Sequence, residues 1–364
     1  MLPLLSRTRR ALAAGCLALL LGAVAACGGS DSSDSSGNGS GSAGSAAEAP
    51  VEKGAFPVTI RHKFGSTKIT SAPRRVVTVG LSDQDPALAL GTVPVATTEW
   101  LGNFPGAIGP WAKKALGSAK PPTVLKDPGT GPQAERIAAL RPDLILALYA
   151  GLTKDQYRTL SKIAPVVAQP SGMADYGISW QEQTETVGRA LGRPAAAKKL
   201  VADVEKRFSD AAAEHPEFQG ASAVVATPYQ GLYVYGPQDN RTRLLHDLGF
   251  RQPAGLAKAV GPDDFGANIS KERTDLLDND ATVWIVTDPA KDTAKLHGNG
   301  LYGDRRVVKE GREVFVKDSS EYGSAVSFVS VLSLPYTLER MVPQLAAAVD
   351  GKPSTKVPAA DSGR

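Results

Sequence analysis

The sequence has few of the residues that bind transition metals or react as thiols. Of 364 residues, four are histidine and two are cysteine. The histidines form no i, i+4 pair and no regular spacing with carboxylates, as a transition-metal site would need; they are His62, His215, His246 and His297. Both cysteines, Cys16 and Cys27, lie within the first 27 residues. We therefore expect no metal held by protein ligands, no resident cofactor, and no disulfide framework or cysteine nucleophile in the body of the protein.

Active-site motifs of common enzyme classes are also missing. No Gly-x-Ser-x-Gly elbow, Walker loop or Gly-x-Gly-x-x-Gly follows a predicted strand, and no His-Glu-x-x-His occurs. The acids Asp83, Asp85 and Asp127 have no base at a spacing that would pair with them. The sequence therefore gives no support for an enzyme.

The overall charge gives no sign of a nucleic-acid partner. The chain has 41 Lys and Arg against 37 Asp and Glu, a formal net charge of +4. Three of the arginines, Arg7, Arg9 and Arg10, lie in a segment that we expect to be removed. The remaining charges nearly balance, so no basic surface is predicted.

The first 26 residues have the layout of an export signal. Three arginines and no acid precede an apolar run that is too short to span a bilayer comfortably. This run ends in Val24-Ala25-Ala26-Cys27-Gly28, which resembles the bacterial lipobox. The resemblance implies cleavage before Cys27 and a diacylglycerol on its thiol, which would anchor the chain to a membrane. The alternative is a plain signal peptide with an incidental cysteine.

Composition separates the folded body from its two ends. Residues 27–55 are rich in serine and glycine, a composition that cannot bury enough apolar surface to order the backbone. We predict a flexible linker there and a frayed tail over residues 351–364.

The body reads as alternating strands and helices, which is typical of an α/β fold. A hairpin is predicted near 56–70, and buried strands near 76–80 and 143–148 are each followed by a helix. A second set of strands near 223–226, 232–235 and 283–286 is interleaved with helices in the same way. Between the sets, a helix of about 20 residues opened by Pro194 would be about 30 Å long.

A pattern recurs on either side of this helix. Glu135-Arg136, Leu140 and Asp143 precede a buried strand, and the same types at the same offsets recur 137 residues later as Glu272-Arg273, Leu277 and Asp280. Leu90-Gly91 and Leu248-Gly249 mark corresponding helix ends. Chance is the alternative, since such short patterns are common in helices. The common order favours two similar lobes, residues 56–193 and 216–350, joined by a single helix over 194–215.

Three stretches of the body are informative together: Pro73-Arg74-Arg75-Val76-Val77 with Ala89-Leu90-Gly91 and Pro94-Val95; Glu135 to Ile145 (ERIAALRPDLI); and Tyr157-x-x-Leu160-x-x-Ile163-Ala164-Pro165. In this order they resemble the substrate-binding proteins of iron-siderophore and cobalamin ABC importers, in the class with a helical backbone. The resemblance covers about residues 56–350. It implies the class III periplasmic binding protein fold, with two α/β lobes and a ligand cleft between them.

The resemblance also implies ligand, partners and location. The ligand would be a ferric siderophore, of hydroxamate type, with the iron bound through the chelator. The partner would be an ABC permease dimer with a cytoplasmic ATPase. The chain would be a monomer, anchored by lipid on the outer face of the cell membrane of a Gram-positive bacterium. A cobalamin- or haem-binding protein of the same family and a non-transport signalling lipoprotein remain as alternatives.

Five residues are candidates for the cleft. Trp100 and Tyr149 follow predicted strands of the first lobe, and the resemblance implies cleft positions for Phe265 and Tyr322 in the second. Arg241 opens a helix whose positive end would favour an anionic chelate. Core packing is the alternative for each aromatic residue, and a solvated first-turn position is the alternative for Arg241. Tyr233 and Tyr235, two apart on one strand, fit core packing better.

Glu135 and Glu272 each begin a predicted helix. An acid at this position interacts favourably with the helix N-terminus, which is one explanation. The resemblance implies another, in which each glutamate forms a salt bridge with arginines of one permease subunit. A binding protein with two similar lobes can match a two-fold permease dimer only if both lobes offer an equivalent charge.

Overall fold

The fold was obtained as a computed structural model, which describes residues 50–127, 129–261 and 264–360. The predicted signal peptide, Cys27 and most of the predicted linker lie outside the described residues. None of the helices in the described part of the chain has the length and apolar character needed to cross a membrane.

The first lobe contains seven strands and five α-helices among the described residues, with 3-10 turns at Pro105–Ala107 and Pro110–Ala112. The strands are β1 (Val58–His62), β2 (Gly65–Ile69), β3 (Val76–Thr78), β4 (Ala96–Thr98), β5 (Thr123–Leu125), β6 (Leu144–Ala147) and β7 (Val166–Ala168). The helices are α1 (Gln84–Ala89), α2 (Lys113–Leu116), α3 (Ala134–Ala139), α4 (Lys154–Leu160) and α5 (Trp180–Ala190).

Helix α6 (Pro194–Glu214) leads to the second lobe. Its strands are β8 (Ala223–Thr227), β9 (Leu232–Tyr235), β10 (Gly266–Ile269), β11 (Ala281–Val286) and β12 (Glu313–Lys317). Its helices are α7 (Asn240–Asp247), α8 (Leu256–Val260), α9 (Pro289–His297), α10 (Gly300–Gly303), α11 (Arg306–Lys309), α12 (Glu321–Ser327) and α13 (Ser333–Val349), with 3-10 helices at Pro216–Phe218 and Lys271–Leu277.

The two lobes have the same sheet order. Strands run β5-β4-β3-β6-β7 in the first sheet and β10-β9-β8-β11-β12 in the second, so the first strand of each sheet lies at its centre. All neighbours in the first sheet are parallel. In the second sheet β8, β11 and β12 are parallel, whereas β9 is antiparallel to both its neighbours. The predicted α/β fold with two similar lobes is confirmed.

The recurring aspartate has the same role in both lobes. Asp143 precedes β6 and accepts hydrogen bonds from the backbone N–H groups of Arg74 and Arg75, each at 2.8 Å, just before β3. Asp280 precedes β11 and accepts from the backbone N–H and the hydroxyl of Ser222, each at 2.9 Å, just before β8. Each carboxylate thus ties the start of a central strand to its parallel neighbour, which explains the repeated spacing.

Helix α6 connects the two lobes as predicted, over 21 residues. Leu200 on this helix packs against the apolar cores of both lobes.

A hydrogen bond also connects the two lobes directly. The buried carboxylate of Asp85 in α1 accepts hydrogen bonds from Trp111 Nε1 at 2.7 Å and from the hydroxyl of Ser330 in the second lobe. Burial raises the pKa of Asp85 to about 6, and the hydrogen bonds from Ser330 and Trp111 oppose that rise.

The folded body extends further at both ends than the composition predicts. Glu52, in the predicted linker, accepts hydrogen bonds from the backbone N–H groups of Ala195 and Ala196 and so caps α6. In the predicted frayed tail, Val357 and Ala360 pack against the core of the second lobe. These contacts use unpaired groups of the helix N-terminus and an apolar surface, which composition alone does not reveal.

Candidate ligand-binding cleft

A cavity of about 590 Å³ lies between the lobes, at the carboxyl ends of strands from both sheets. This is the position expected for a ligand site in an open α/β sheet. Residues 81, 101, 149 and 176 of the first lobe line one side. The other side is formed by residues of the second lobe: Thr227, Pro228, Tyr229, Tyr233, Tyr235, Arg241, Phe265, Ile285, Thr287, Asp292, Asp318, Ser327 and Phe328.

Aromatic rings dominate this lining. Tyr149 and Tyr176 of the first lobe have ring centroids 5.3 Å apart. Across the cleft, Tyr235 lies 5.2 Å from the ring of Tyr233 and 6.2 Å from that of Phe265. The rings form an amphipathic wall that suits a ligand with apolar segments and polar oxygens.

The mouth of the cavity exposes apolar surface from both lobes. Leu101 and Tyr229 line the cavity and are 48% and 65% exposed, respectively. They are two of the four large apolar residues that are exposed in the described part of the chain. Apolar side chains left open at a cleft are typical of a binding site.

Arg241 reaches the cavity from the first turn of α7 and is held there by Asp239. The carboxylate of Asp239 accepts from Arg241 Nε at 2.8 Å and from Nη2 at 2.6 Å, and also from the backbone N–H of Arg241 at 2.7 Å. The guanidinium lies 3.7 Å above the ring of Tyr235. Burial would lower the pKa of Arg241, but the charge and hydrogen bonds of Asp239 raise it, so the side chain stays cationic.

Asp83 positions Tyr149 at the cleft. Its buried carboxylate accepts hydrogen bonds from the backbone N–H groups of Leu148 at 2.8 Å and Tyr149 at 3.2 Å, and from Gln183 Nε2 at 2.7 Å. Burial raises the pKa of Asp83 to about 6, and these hydrogen bonds oppose the rise. Gly80 leaves room for the carboxylate, because a Cβ there would lie 2.1 Å from Asp83 Oδ2. Asp83 therefore fixes the backbone after β6.

Three of the five predicted cleft residues, Tyr149, Arg241 and Phe265, line the cavity. Trp100 lies behind it: the side chain is 7% exposed, and its ring centroid is 5.1 Å from that of Phe328, which does line the cavity. Trp100 Nε1 donates to the carbonyl of Ala107 at 2.8 Å, so its polar end is satisfied inside the first lobe.

Tyr322 lies in the core of the second lobe, and its predicted place in the cleft is wrong. Helix α12 starts four residues after the end of β12 and is capped by the Ser320 hydroxyl, which accepts a hydrogen bond from the backbone N–H of Gly323 at 2.9 Å. Tyr322 therefore sits in the first turn of a helix packed on the sheet, is 3% exposed, and donates its hydroxyl hydrogen to Gln344 Oε1 at 2.8 Å.

Tyr233 and Tyr235 face the cleft, although core packing was the favoured prediction. In β9, Leu232 and Val234 are buried in the core and the two tyrosines lie on the opposite face, partly buried. The alternation of aliphatic and aromatic residues in Leu232–Tyr235 carries this information, since successive side chains of a strand point to opposite faces. No motif in the sequence pointed to Tyr176, Phe328, Asp292 or Asp318.

Glu135 and Glu272 occupy equivalent places in the two lobes. Both are exposed and lie in the first turn of the helix that precedes the strand next to the central one, α3 before β6 and Lys271–Leu277 before β11. Both glutamates are therefore free to contact a partner from outside the cleft.

Within the described ranges, there is no group of three or more histidine, cysteine, aspartate or glutamate side chains that could hold a metal ion. The lining of the cavity offers aromatic rings, hydroxyls, one guanidinium and two carboxylates.

Comparisons with known proteins agree on one family. The model of the periplasmic binding protein family matches residues 88–318. The Fe(3+)-citrate-binding protein YfmC of Bacillus subtilis is 28% identical over 255 residues, which are 70% of this chain and 76% of that protein. A periplasmic solute binding protein from Mycobacterium smegmatis is 33% identical, with a TM-score of 0.69 over 80% of this chain and 98% of its own. PiaA from Streptococcus pneumoniae, solved in complex with ferrichrome, is 28% identical, with a TM-score of 0.72 over 81% of this chain and 99% of its own.

Proposed function

The chain belongs to the periplasmic binding protein family, and on this premise we propose that it captures a ferric siderophore in the cleft between its lobes and delivers it to an ABC permease. It is a solute-binding protein and not an enzyme. One observation carries the choice of ligand. The cavity of about 590 Å³ is walled by aromatic rings from both lobes around a single buried arginine. Such a lining suits a bulky chelate whose iron is already wrapped.

A hydroxamate siderophore is the ligand type that we propose. Arg241 Nη1 makes no hydrogen bond to any described residue, and the side chain lines the cavity, so this nitrogen can donate to chelate oxygens. PiaA, a structural neighbour, was solved with ferrichrome. Phe265 supports the same choice from the second lobe, whereas Tyr322 no longer does.

The proposal extends to the membrane and to the transporter. Cys27 would carry the lipid, with residues 28–49 as a tether, on the outer face of the cell membrane of a Gram-positive bacterium; a relative in Bacillus subtilis is named a probable siderophore-binding lipoprotein. Glu135 and Glu272 would contact the two halves of a permease dimer that is driven by a cytoplasmic ATPase. The binding protein would act as a monomer, because its two lobes already supply the two-fold arrangement.

Intrinsic tryptophan fluorescence of the purified protein tests the ligand class. Trp100 lies against Phe328, so a chromophoric iron chelate in the cavity is expected to quench its emission. We expect saturable quenching by ferric hydroxamates at sub-micromolar concentration and none by the iron-free chelators. Quenching by cobalamin or haem instead would show another ligand of the same fold. No quenching by any of these compounds would contradict a transport role and favour a signalling lipoprotein.

A further inference from the structure

The charged groups around the cleft are unevenly balanced. Arg241 is the only basic side chain among the described residues that line the cavity, and the buried carboxylate of Asp239 already neutralises it. Asp292 and Asp318 lie on the same lining, and neither forms an ion pair with any residue that the structure describes. The cleft therefore has one positive charge, on Arg241, and three carboxylates, those of Asp239, Asp292 and Asp318.

Both unpaired carboxylates are held in place by Thr287, at the carboxyl end of β11. Asp292 Oδ2 accepts hydrogen bonds from the backbone N–H groups of Thr287 and Asp288, each at 3.0 Å. Asp318 Oδ2 accepts from Thr287 Oγ1 at 2.9 Å. The Oδ1 atom of each carboxylate has no hydrogen-bond partner within the described ranges. Each acid therefore keeps one oxygen for a ligand in a fixed position.

Arg241 adds a hydrogen-bond donor to the lining of the cavity, where Asp292 and Asp318 offer only acceptors. Arg241 is about nine-tenths buried and lines the cavity, yet its Nη1 has no hydrogen-bond partner among the described residues. Burial raises the pKa of Tyr235, Arg241 lowers it, and Asp239 and Asp318 raise it again. Arg241, Asp292 and Asp318 line the same cavity, so a single bound molecule can contact the arginine and both acids.

The classes of ferric chelate differ in net charge, and few of them match the charges in the cleft. Three hydroxamates balance the charge of Fe³⁺, so the chelate core is neutral, whereas three catecholates leave a triply negative complex, and citrate complexes are negative as well. A negative chelate would be repelled by two uncompensated carboxylates in a cleft of reduced dielectric. A neutral core that carries a protonated amine would offer oxygens to Arg241 and a positive charge to Asp292 and Asp318.

On the premise of the proposed function, we infer that the cleft selects a ferric trihydroxamate with a protonated amine. The hydroxamate oxygens face Arg241, and the ammonium group lies at Asp292 and Asp318. The two aspartates are then specificity-determining residues, and anionic ferric chelates are excluded by charge rather than by size.

Ferrioxamine B and its N-acetyl derivative test this inference, because they share one iron core and differ in the charge of the amine. Calorimetric titration of the wild-type protein is expected to give about tenfold tighter binding of the amine form, since one charge-assisted contact is lost on acetylation. This preference should shrink as ionic strength rises. The double variant Asp292→Asn with Asp318→Asn should lose the preference and bind the acetylated form as the wild type does.

Asp203→Asn with Asp210→Asn is the matched control, since these exposed acids lie on α6 outside the cavity lining. It should keep the wild-type preference. Equal affinities of the wild type for both ligands, or a preference that survives in the cleft variant, would overturn the inference and leave the proposed function standing. Failure to bind either chelate would overturn the hydroxamate function together with the inference.

Discussion

Replacing Glu135 and Glu272 together by alanine is expected to abolish ferric-siderophore uptake while leaving ligand affinity unchanged. The two exposed glutamates lie at equivalent positions of the two lobes and away from the cavity lining. Truncating one partner of a charge pair that an interface desolvates leaves the other charge buried and unpaired. Losing one pair in each lobe should weaken productive docking by about a hundredfold or more. Uptake of radiolabelled iron by cells that depend on the full-length chain measures the effect.

The matched control is Asp155→Ala with Glu321→Ala. These acids are also exposed, also lie in the first turn of a helix, and are also one per lobe. The control variant should transport as the wild type does. If the Glu135 and Glu272 variant lost affinity in proportion to its loss of uptake, the glutamates would act on the ligand or the fold, and the docking role would be contradicted.

Tyr235→Ala should cause the largest loss of affinity among single changes in the cleft. The ring of Tyr235 contacts Tyr233 and Phe265 and lies under the guanidinium of Arg241. Its removal takes away part of the aromatic wall and also the surface that holds the arginine over the cavity. Central aromatic residues of this kind cost about 2 kcal/mol or more on truncation, which is about a thirtyfold loss of affinity. Tyr235→Phe should retain most of the affinity, because the ring remains.

Tyr336→Ala provides the comparison for this variant. Tyr336 carries the same stacked arrangement, with the guanidinium of Arg340 3.5 Å above its ring, but it is not part of the cavity lining. Calorimetry should show near wild-type affinity for this variant. A loss at Tyr336 equal to that at Tyr235 would indicate a general effect on stability, and a Tyr235→Ala variant with intact affinity would contradict the role of the aromatic wall.

The architecture could be predicted because its signals are local or repeated. The long helix after Pro194 follows from an uninterrupted helical pattern, and the two lobes follow from the offset shared by Asp143 and Asp280. The shared offset has a structural cause, because both carboxylates accept hydrogen bonds from backbone groups at the start of a central strand. Tyr149 could be placed at the cleft because it closely follows a buried strand.

The details of the site depend on packing that no short pattern encodes. Tyr322 is buried because α12 begins four residues after the end of β12 and packs on the sheet. Tyr233 and Tyr235 reach the cleft because one face of β9 is turned away from the core. Asp292 and Asp318 are separated by 26 residues in sequence and meet only because β11 and β12 are neighbours.

Diffraction at the iron absorption edge, from crystals of the protein grown with a ferric trihydroxamate, tests the central claim most directly. The proposed function predicts one iron position in the cavity between the lobes, among Tyr149, Tyr235 and Arg241, with all six iron ligands supplied by the chelator. Iron located outside this cavity, or bound directly by protein side chains, would contradict it.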